Sequence, residues 1–301
     1  MNMSEPPPWL RRLVVLGMGY TGTRFVQRLR ALGVDCVGTT RTPDPSDASR
    51  RRFDGGTPID ADLLAALANA DAVLGSMPPE ANGDPALPML ADALASNDRL
   101  RWLGYLSSTG VYADWQGGIV DALSIADGSD DAARSRLRAE AHWQALAHRR
   151  GIACGVFRLA GLYGPGRNAL RQLADGEARH VVKPGLVFNR IHVEDACDAL
   201  IASLWHTRTP DAIYLLADGV PAPPQDVLAF AAGLSGLPLP PAEPYDAARA
   251  SPARRRFYGA SKRIDPRQTQ EALHWRPRHA DYRQGLDALW QAGEGRGVSS
   301  V

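Results

Sequence analysis

Gly17-Met18-Gly19-Tyr20-Thr21-Gly22 follows the apolar run Leu13-Val14-Val15-Leu16 and opens the helical stretch Thr21 to Leu32. Glycines also gather in ordinary turns, so the setting decides: a short strand, a glycine turn and an amphipathic helix form the phosphate-binding start of a dinucleotide fold. Gly17 permits the tight turn, Gly19 lets the backbone approach a pyrophosphate, and Gly22 lets helix and strand pack closely. The helix start offers free N–H groups and a partial positive charge to the phosphates.

Strand and helix signals keep alternating outward from this unit. Asp35 to Thr39 reads as a second strand, Arg52-Phe53-Asp54 as the close of a third, Ala72 to Ser76 as a fourth, Trp102 to Ser107 as a fifth and Ala153 to Arg158 as a sixth. Helices are expected from an Asp60 cap through Leu67, over Leu87 to Ala95 and over Asp131 to Arg149. Continuous apolar strands between helices imply an α/β fold, a Rossmann-type doubly wound parallel sheet covered on both faces. From Tyr163 the texture changes to more Gly and Pro and shorter strands. Val193 to Trp205 and Gln225 to Leu234 read as helices, Ile213 to Leu216 as a strand returning to the sheet, and Gln268 to Leu289 as mostly helical. The expected organisation is a dinucleotide-binding domain over 9–165 with 190–217 returning to it, a smaller C-terminal substrate domain over 166–189 and 218–298, and a frayed tail over 1–8.

With 301 residues, 45% apolar and 22% charged, the chain can bury a full core of ordinary composition. A net charge of +1 and the lack of a dense basic stripe argue against nucleic acid as a partner; Arg50-Arg51-Arg52 and Arg254-Arg255-Arg256 read as solvated loops. Cys36, Cys154 and Cys197 are odd in number and set in apolar contexts, so they read as reduced core thiols rather than a disulfide frame or a metal site. No run reaches the ~20 apolar residues of a membrane span and the start lacks a signal core, which makes a cytoplasmic protein with no membrane partner the expectation.

Further motifs follow in order. Leu106-Ser107-Ser108-Thr109-Gly110-Val111-Tyr112 ends the fifth strand, and Arg158-Leu159-Ala160-Gly161-Leu162-Tyr163-Gly164-Pro165-Gly166 leaves the sixth. Asn189-Arg190-Ile191-His192-Val193-Glu194-Asp195 opens a later helix, and Ser261-Lys262-Arg263-Ile264 and Leu273-His274-Trp275-Arg276-Pro277 come near the end. Together with the glycine turn, this order resembles the extended short-chain dehydrogenase/reductase family, which includes nucleotide-sugar epimerases and dehydratases, over about Leu13 to Leu289. The resemblance implies cofactor contacts from Gly17 to Gly22, Asp54, Ser76, Met77, Ser107, Arg136 and Leu159-Ala160-Gly161. It implies a small-molecule substrate, a small carbonyl compound or a nucleotide sugar, with Tyr112, Tyr163, Arg190, His192 and Arg263 at the substrate. Helix-start packing is the other reading of His192. The resemblance also implies a homodimer through Leu87 to Ala95 and Asp131 to Arg149; Leu137, Trp143 and Leu146 supply apolar surface, unless they pack on the sheet.

The chain departs from this family at the chemistry. The family uses a tyrosine, and a lysine four residues later, on the helix between the fifth and sixth strands; a free phenol of pKa ~10 needs the nearby cation. Aligning Leu137 and Glu140 with the family's pattern puts Arg136 on the lysine position and Ala132 on the tyrosine. Arg136 keeps the charge and can bind ribose, but a guanidinium with pKa above about 12 is a poor proton shuttle. No tyrosine lies between Tyr112 and Tyr163. Ser108 occupies the position of the family's catalytic Ser or Thr, so it is the expected donor to the reacting oxygen. Tyr112 is the nearest replacement acid, although the family has a tyrosine there for structural reasons. The literal pair Tyr258 and Lys262 lies beyond the sixth strand and reads as coincidence. Two functional classes therefore stand: an NAD(P)-dependent reductase or epimerase with altered catalytic residues, and a catalytically inactive NADP-binding regulatory protein.

Cofactor choice is partly legible. An NAD enzyme places an acid at the end of the second strand to accept from the ribose hydroxyls. Here the strand ends Gly38-Thr39-Thr40-Arg41. Thr40 and Arg41 welcome a 2′-phosphate, which favours NADP, with NAD as the alternative.

Overall fold

The computed structural model describes residues 5–43, 47, 49–56, 58–128 and 130–296. Seven strands form one parallel sheet: β1 (Arg12–Leu16), β2 (Asp35–Thr40), β3 (Arg50–Arg52), β4 (Ala72–Gly75), β5 (Trp102–Ser108), β6 (Ala153–Leu159) and β7 (Ala212–Leu216). Their order is β7-β6-β5-β4-β1-β2-β3. The chain runs outward from β1 to β3 and then returns to lay β4 against the other side of β1, so the order reverses between β1 and β4. Ligands of open α/β sheets bind outside the carboxyl ends of the strands at such a reversal.

The central strands are largely apolar because both faces are covered. In β1, Leu13 and Val15 join one core cluster and Val14 and Leu16 the other, as the two-residue period of a strand requires. Helix α1 (Tyr20–Ala31) covers the first face. On the second lie α2 (Ala61–Ala68), α3 (Leu87–Ala95) and α4 (Asp131–Arg150), which bury Leu63, Leu90 and Trp143. Asp60 caps α2 through Leu63 N–H (2.6 Å) and Asp130 caps α4 through Ala133 N–H (2.8 Å). Gly151, at φ +62°, closes α4 in the left-handed conformation.

Beyond β6 come α5 (Ala169–Ala174), α6 (Val193–His206), α7 (Pro224–Ser235), α8 (Pro252–Gly259), α9 (Arg267–Ala272) and α10 (Tyr282–Gln291). Helix α6 packs with α1 on the first face of the sheet. Helices α5, α7 and α10 share a separate, smaller core around Leu170, Leu228 and Leu286. Arg263 and Ile264 pair in parallel with Ile119 and Val120, tying the C-terminal part of the chain to the segment that follows β5.

Three expectations are corrected. Arg50 to Arg52 form a paired edge strand rather than a loop, with Phe53 buried behind them. The stretch Gln268 to Leu289 is two helices broken around Pro277, with His274 at φ +47°. The tail ends sooner, since Pro7 is buried and accepts from Leu10 N–H; residues 1–4 and 297–301 lie outside the described residues. Trp143 and Leu146 pack on the sheet, so neither offers surface for pairing. Among the described residues no helix is long and apolar enough to cross a membrane.

Candidate active site

The glycine turn stands at the β1–β4 reversal. Gly17 has φ +101°, and a Cβ there would lie 3.0 Å from Met77. A Cβ on Gly22 would lie 2.8 Å from the Gly17 carbonyl oxygen, the close helix–strand approach. A Cβ on Gly19 meets nothing within 4 Å, so that position opens onto free space. No side chain caps α1 at Gly19, and its first-turn N–H groups face that space without a capping acceptor. An uncapped helix start beside an open glycine fits a pyrophosphate. Thr39 fixes the turn: its Oγ1 accepts from Gly17 N–H at 2.9 Å and its carbonyl from Met18 N–H at 2.7 Å. Sequence reading passed over Thr39; a hydroxyl at the penultimate position of β2 was the available signal.

Thr40 ends β2 half-buried, and Arg41 beyond it is exposed, with no hydrogen bond or ion pair among the described residues. Arg52 pairs in register beside Thr40, so the two side chains share a face of the sheet, and Arg52 is exposed. Asp54 accepts from Gly56 N–H at 2.9 Å. Ser76 donates its N–H to Leu16 at 2.8 Å, holding the segment after β4 against the turn.

A cleft of about 970 Å³ opens at the carboxyl ends of β5 and β6. Ser107, Ser108 and Leu159-Ala160-Gly161 line it from the sheet, and Ala132, Ser135 and Arg136 from α4. Positions 132 and 136 thus face the cleft together, one turn apart, and the methyl of Ala132 stands where a phenol was sought. Ser108 Oγ accepts from Gly110 N–H at 3.0 Å. Arg136 donates to the Leu106 carbonyl at 3.2 Å. Arg167, also on the wall, lies 5.8 Å from the centre of the Tyr20 ring, whose hydroxyl donates to the Pro165 carbonyl at 3.0 Å. The cleft therefore adjoins the glycine turn.

Under its floor lies a buried ionic network that sequence reading did not see. Arg158 pairs with Glu140 at 2.7 Å, Ser107 Oγ donates to the same carboxylate, and Arg158 Nη1 donates to the Tyr112 hydroxyl at 2.7 Å. Tyr112 lines the cleft, but its hydroxyl is held by the guanidinium and directed to the Asp121 carbonyl, and burial pushes its pKa up. That removes it as the replacement acid at neutral pH.

Tyr163, Arg190, His192 and Arg263 are not on the cleft wall. Arg190 is buried and donates to the carbonyls of Phe188 and Ala222, and Arg263 to that of Gly117. Tyr163 donates to the Asp281 carbonyl at 3.4 Å. His192 caps α6 by accepting from Glu194 N–H at 3.3 Å, edge-on to Tyr163. Ligand-capable atoms of His192, Asp195 and His279 lie within 4.8 Å of one another, yet Asp195 is already taken by the His279 ring and by the N–H groups of Arg278 and His279. These residues hold the seam where α6 meets the segment before α10. Of the literal pair, Tyr258 stacks on Tyr245 at 4.7 Å while Lys262 reaches the cleft.

Two groups at this seam set opposed pH dependences. Burial raises Asp218 from 3.8 to about 7, and its Oδ2 has no hydrogen-bond partner among the described residues. Burial and the neighbouring His279 lower His192 from 6.5 to about 4. The folded state holds the Asp218 proton longer than the unfolded chain, so this group's stabilisation is complete below 3.8 and lost as pH rises to about 7. His192 does the reverse, losing stability as pH falls from 6.5 towards 4. In Asp218→Asn the first slope disappears. The unfolding free energy of the variant relative to the wild type, measured by denaturation at each pH, is expected to climb between pH 5 and 7, at up to about 1.4 kcal/mol per pH unit, and to level off above. A difference that stays flat over that range would show that Asp218 is ionised throughout.

No family model matches the chain. A functionally unknown conserved protein from Silicibacter pomeroyi DSS has a structure 39% identical in sequence, with TM-score 0.84, covering 94% of this chain and 99% of its own. MoeE5 in complex with UDP-glucuronic acid and NAD is 23% identical, with TM-score 0.76 over 92% of this chain and 96% of its own. Protein YeeZ of Escherichia coli K12 is 28% identical over 210 residues, 64% of this chain and 72% of that protein. The fold is shared with MoeE5, with UDP-N-acetylglucosamine 4-epimerase from Bacillus cereus and with UDP-glucose 4-epimerase from Thermotoga maritima. Within that fold, the chain belongs to one family with the Silicibacter pomeroyi protein.

Proposed function

We propose that this protein is an NADP(H)-dependent reductase or epimerase acting on a small carbonyl compound or nucleotide-sugar-type substrate, with an active site rebuilt around an absent tyrosine. The observation that carries this reading is the uncapped start of α1, open at Gly19 and adjoining a cleft lined by Ser108 and Arg136. A nicotinamide dinucleotide bound there supplies or accepts hydride. Amides of the glycine turn would hold its pyrophosphate, Arg136 would pair with the ribose, and Ser108 would donate to the reacting oxygen. MoeE5, of the same fold, carries NAD and a UDP-sugar, which supports both the cofactor class and the substrate range.

NADP rather than NAD is proposed because Arg41, just beyond β2, is unpaired among the described residues, Arg52 pairs beside Thr40, and the strand ends in Thr40 rather than an acid. One charge-assisted bond contributes about 1.5–3 kcal/mol, so NADPH is expected to bind about ten-fold or more tightly than NADH. Fluorescence titration of both cofactors into the wild type and Arg41→Ala checks this, and the preference should collapse in the variant. Equal affinities in the wild type would contradict the NADP assignment.

A further inference from the structure

Lys262 is one of only two lysines in a chain with 34 Lys and Arg. It comes from the C-terminal part of the chain, immediately before the two residues that pair with Ile119 and Val120. Its backbone is pinned: Asn189 Nδ2 donates to its carbonyl at 2.8 Å, and Asn189 Oδ1 accepts from Ile264 N–H at 2.9 Å. On its other side, Ser261 N–H donates to Asp114 at 2.8 Å. The ammonium donates to the carbonyls of Tyr112 at 2.8 Å and Ala113 at 3.2 Å, in the segment that follows Ser108. These bonds use two of its three N–H donors and no carboxylate, and the residue, only 7% exposed, lines the same cleft as Ser108 and Arg136.

The chemistry of this position differs from that of Arg136 across the cleft. A guanidinium could hold two carbonyls equally well, but it does not release a proton near neutral pH, whereas an ammonium does once it is desolvated. Burial lowers the pKa of Lys262, and neighbouring Asp114 and Asp127 offset this only in part.

We propose that Lys262 is the amine that meets the substrate's carbonyl group in this cleft and gives it a proton. The proposal rests on the preceding reading of the cleft as a site of hydride transfer. As the carbonyl carbon gains hydride from the reduced nicotinamide, the C=O π electrons move to oxygen. One N–H bond of Lys262 then breaks and its proton goes to that oxygen. The product is an alcohol beside a neutral amine, which water reprotonates. Tyr258 takes no part, being packed against Tyr245 and Phe257.

Having only two lysines makes the test direct. Cofactor-free protein is treated with pyridoxal 5′-phosphate, an aldehyde probe, then borohydride, and the modified peptides are quantified by mass spectrometry. Lys262 is expected to react about ten-fold faster than Lys183, whose ammonium is bound to the Tyr258 carbonyl. The rate should reach half-maximum at a pH below the ~10.4 of free lysine. Lys262→Arg keeps a cation for the two carbonyls; it is expected to melt like the wild type and to lose the labelled cleft peptide. Reaction of Lys183 as fast as Lys262, or a half-maximum at the free-lysine value, overturns the proposal. A parallel NADPH titration of the unlabelled wild type tests the cofactor reading alone, so failure of one is distinguishable from failure of the other.

Discussion

Gly19→Val is expected to lower dinucleotide affinity by about a hundred-fold or more, roughly 2.7 kcal/mol, with little change in melting temperature. The Gly19 backbone is extended, at φ −82°, and a Cβ there meets no protein atom within 4 Å. A valine therefore strains nothing in the free protein and fills the space a pyrophosphate needs. Gly22→Ala should behave the opposite way. Its Cβ would stand 2.8 Å from the Gly17 carbonyl oxygen, an overpacking that costs about 1–3 kcal/mol and lowers the melting temperature by several degrees. Thermal denaturation and cofactor titration of the two variants separate binding from folding. Undiminished binding in Gly19→Val would mean that the turn serves only the fold.

The second large effect is expected at the floor of the cleft. Arg158→Met leaves the Glu140 carboxylate buried without its guanidinium and strips the Tyr112 hydroxyl of its donor. Breaking a buried pair from one side costs about 3–5 kcal/mol, a large share of the stability of most domains. Replacing Glu140 and Arg158 together by apolar residues should restore much of that loss, because neither charge is then stranded. Urea denaturation of the single and double variants measures this. A loss below about 1 kcal/mol in Arg158→Met would show that the pair is hydrated rather than buried.

The glycine turn was legible in the sequence because each glycine's task is local, set by the sign of φ or by an approach within a few residues. The sheet was legible because its central strands, covered on both faces, are largely apolar and alternate with helices. What escaped was written across long separations. Thr39 reaches Gly17 from the next strand, and Glu140, which served only to align the helix, is the carboxylate that joins Ser107 to Arg158. Lys262 was set aside because it follows the sixth strand, but pairing of Arg263 and Ile264 with Ile119 and Val120 carries it back to the cleft. Motif position placed Arg190 and His192 at the substrate, whereas burial commits them to carbonyls and a helix cap. Near the end, the stretch that reads as mostly helical holds two helices, Arg267–Ala272 and Tyr282–Gln291, with His274 at φ +47° and Pro277 between them.

The central claim is that the start of α1 binds a nicotinamide dinucleotide. Calorimetric titration of NADPH into the wild-type protein tests it most directly. One NADPH is expected to bind per chain, with affinity falling about a hundred-fold or more in Gly19→Val. No heat of binding in a wild-type protein that melts cooperatively would contradict it.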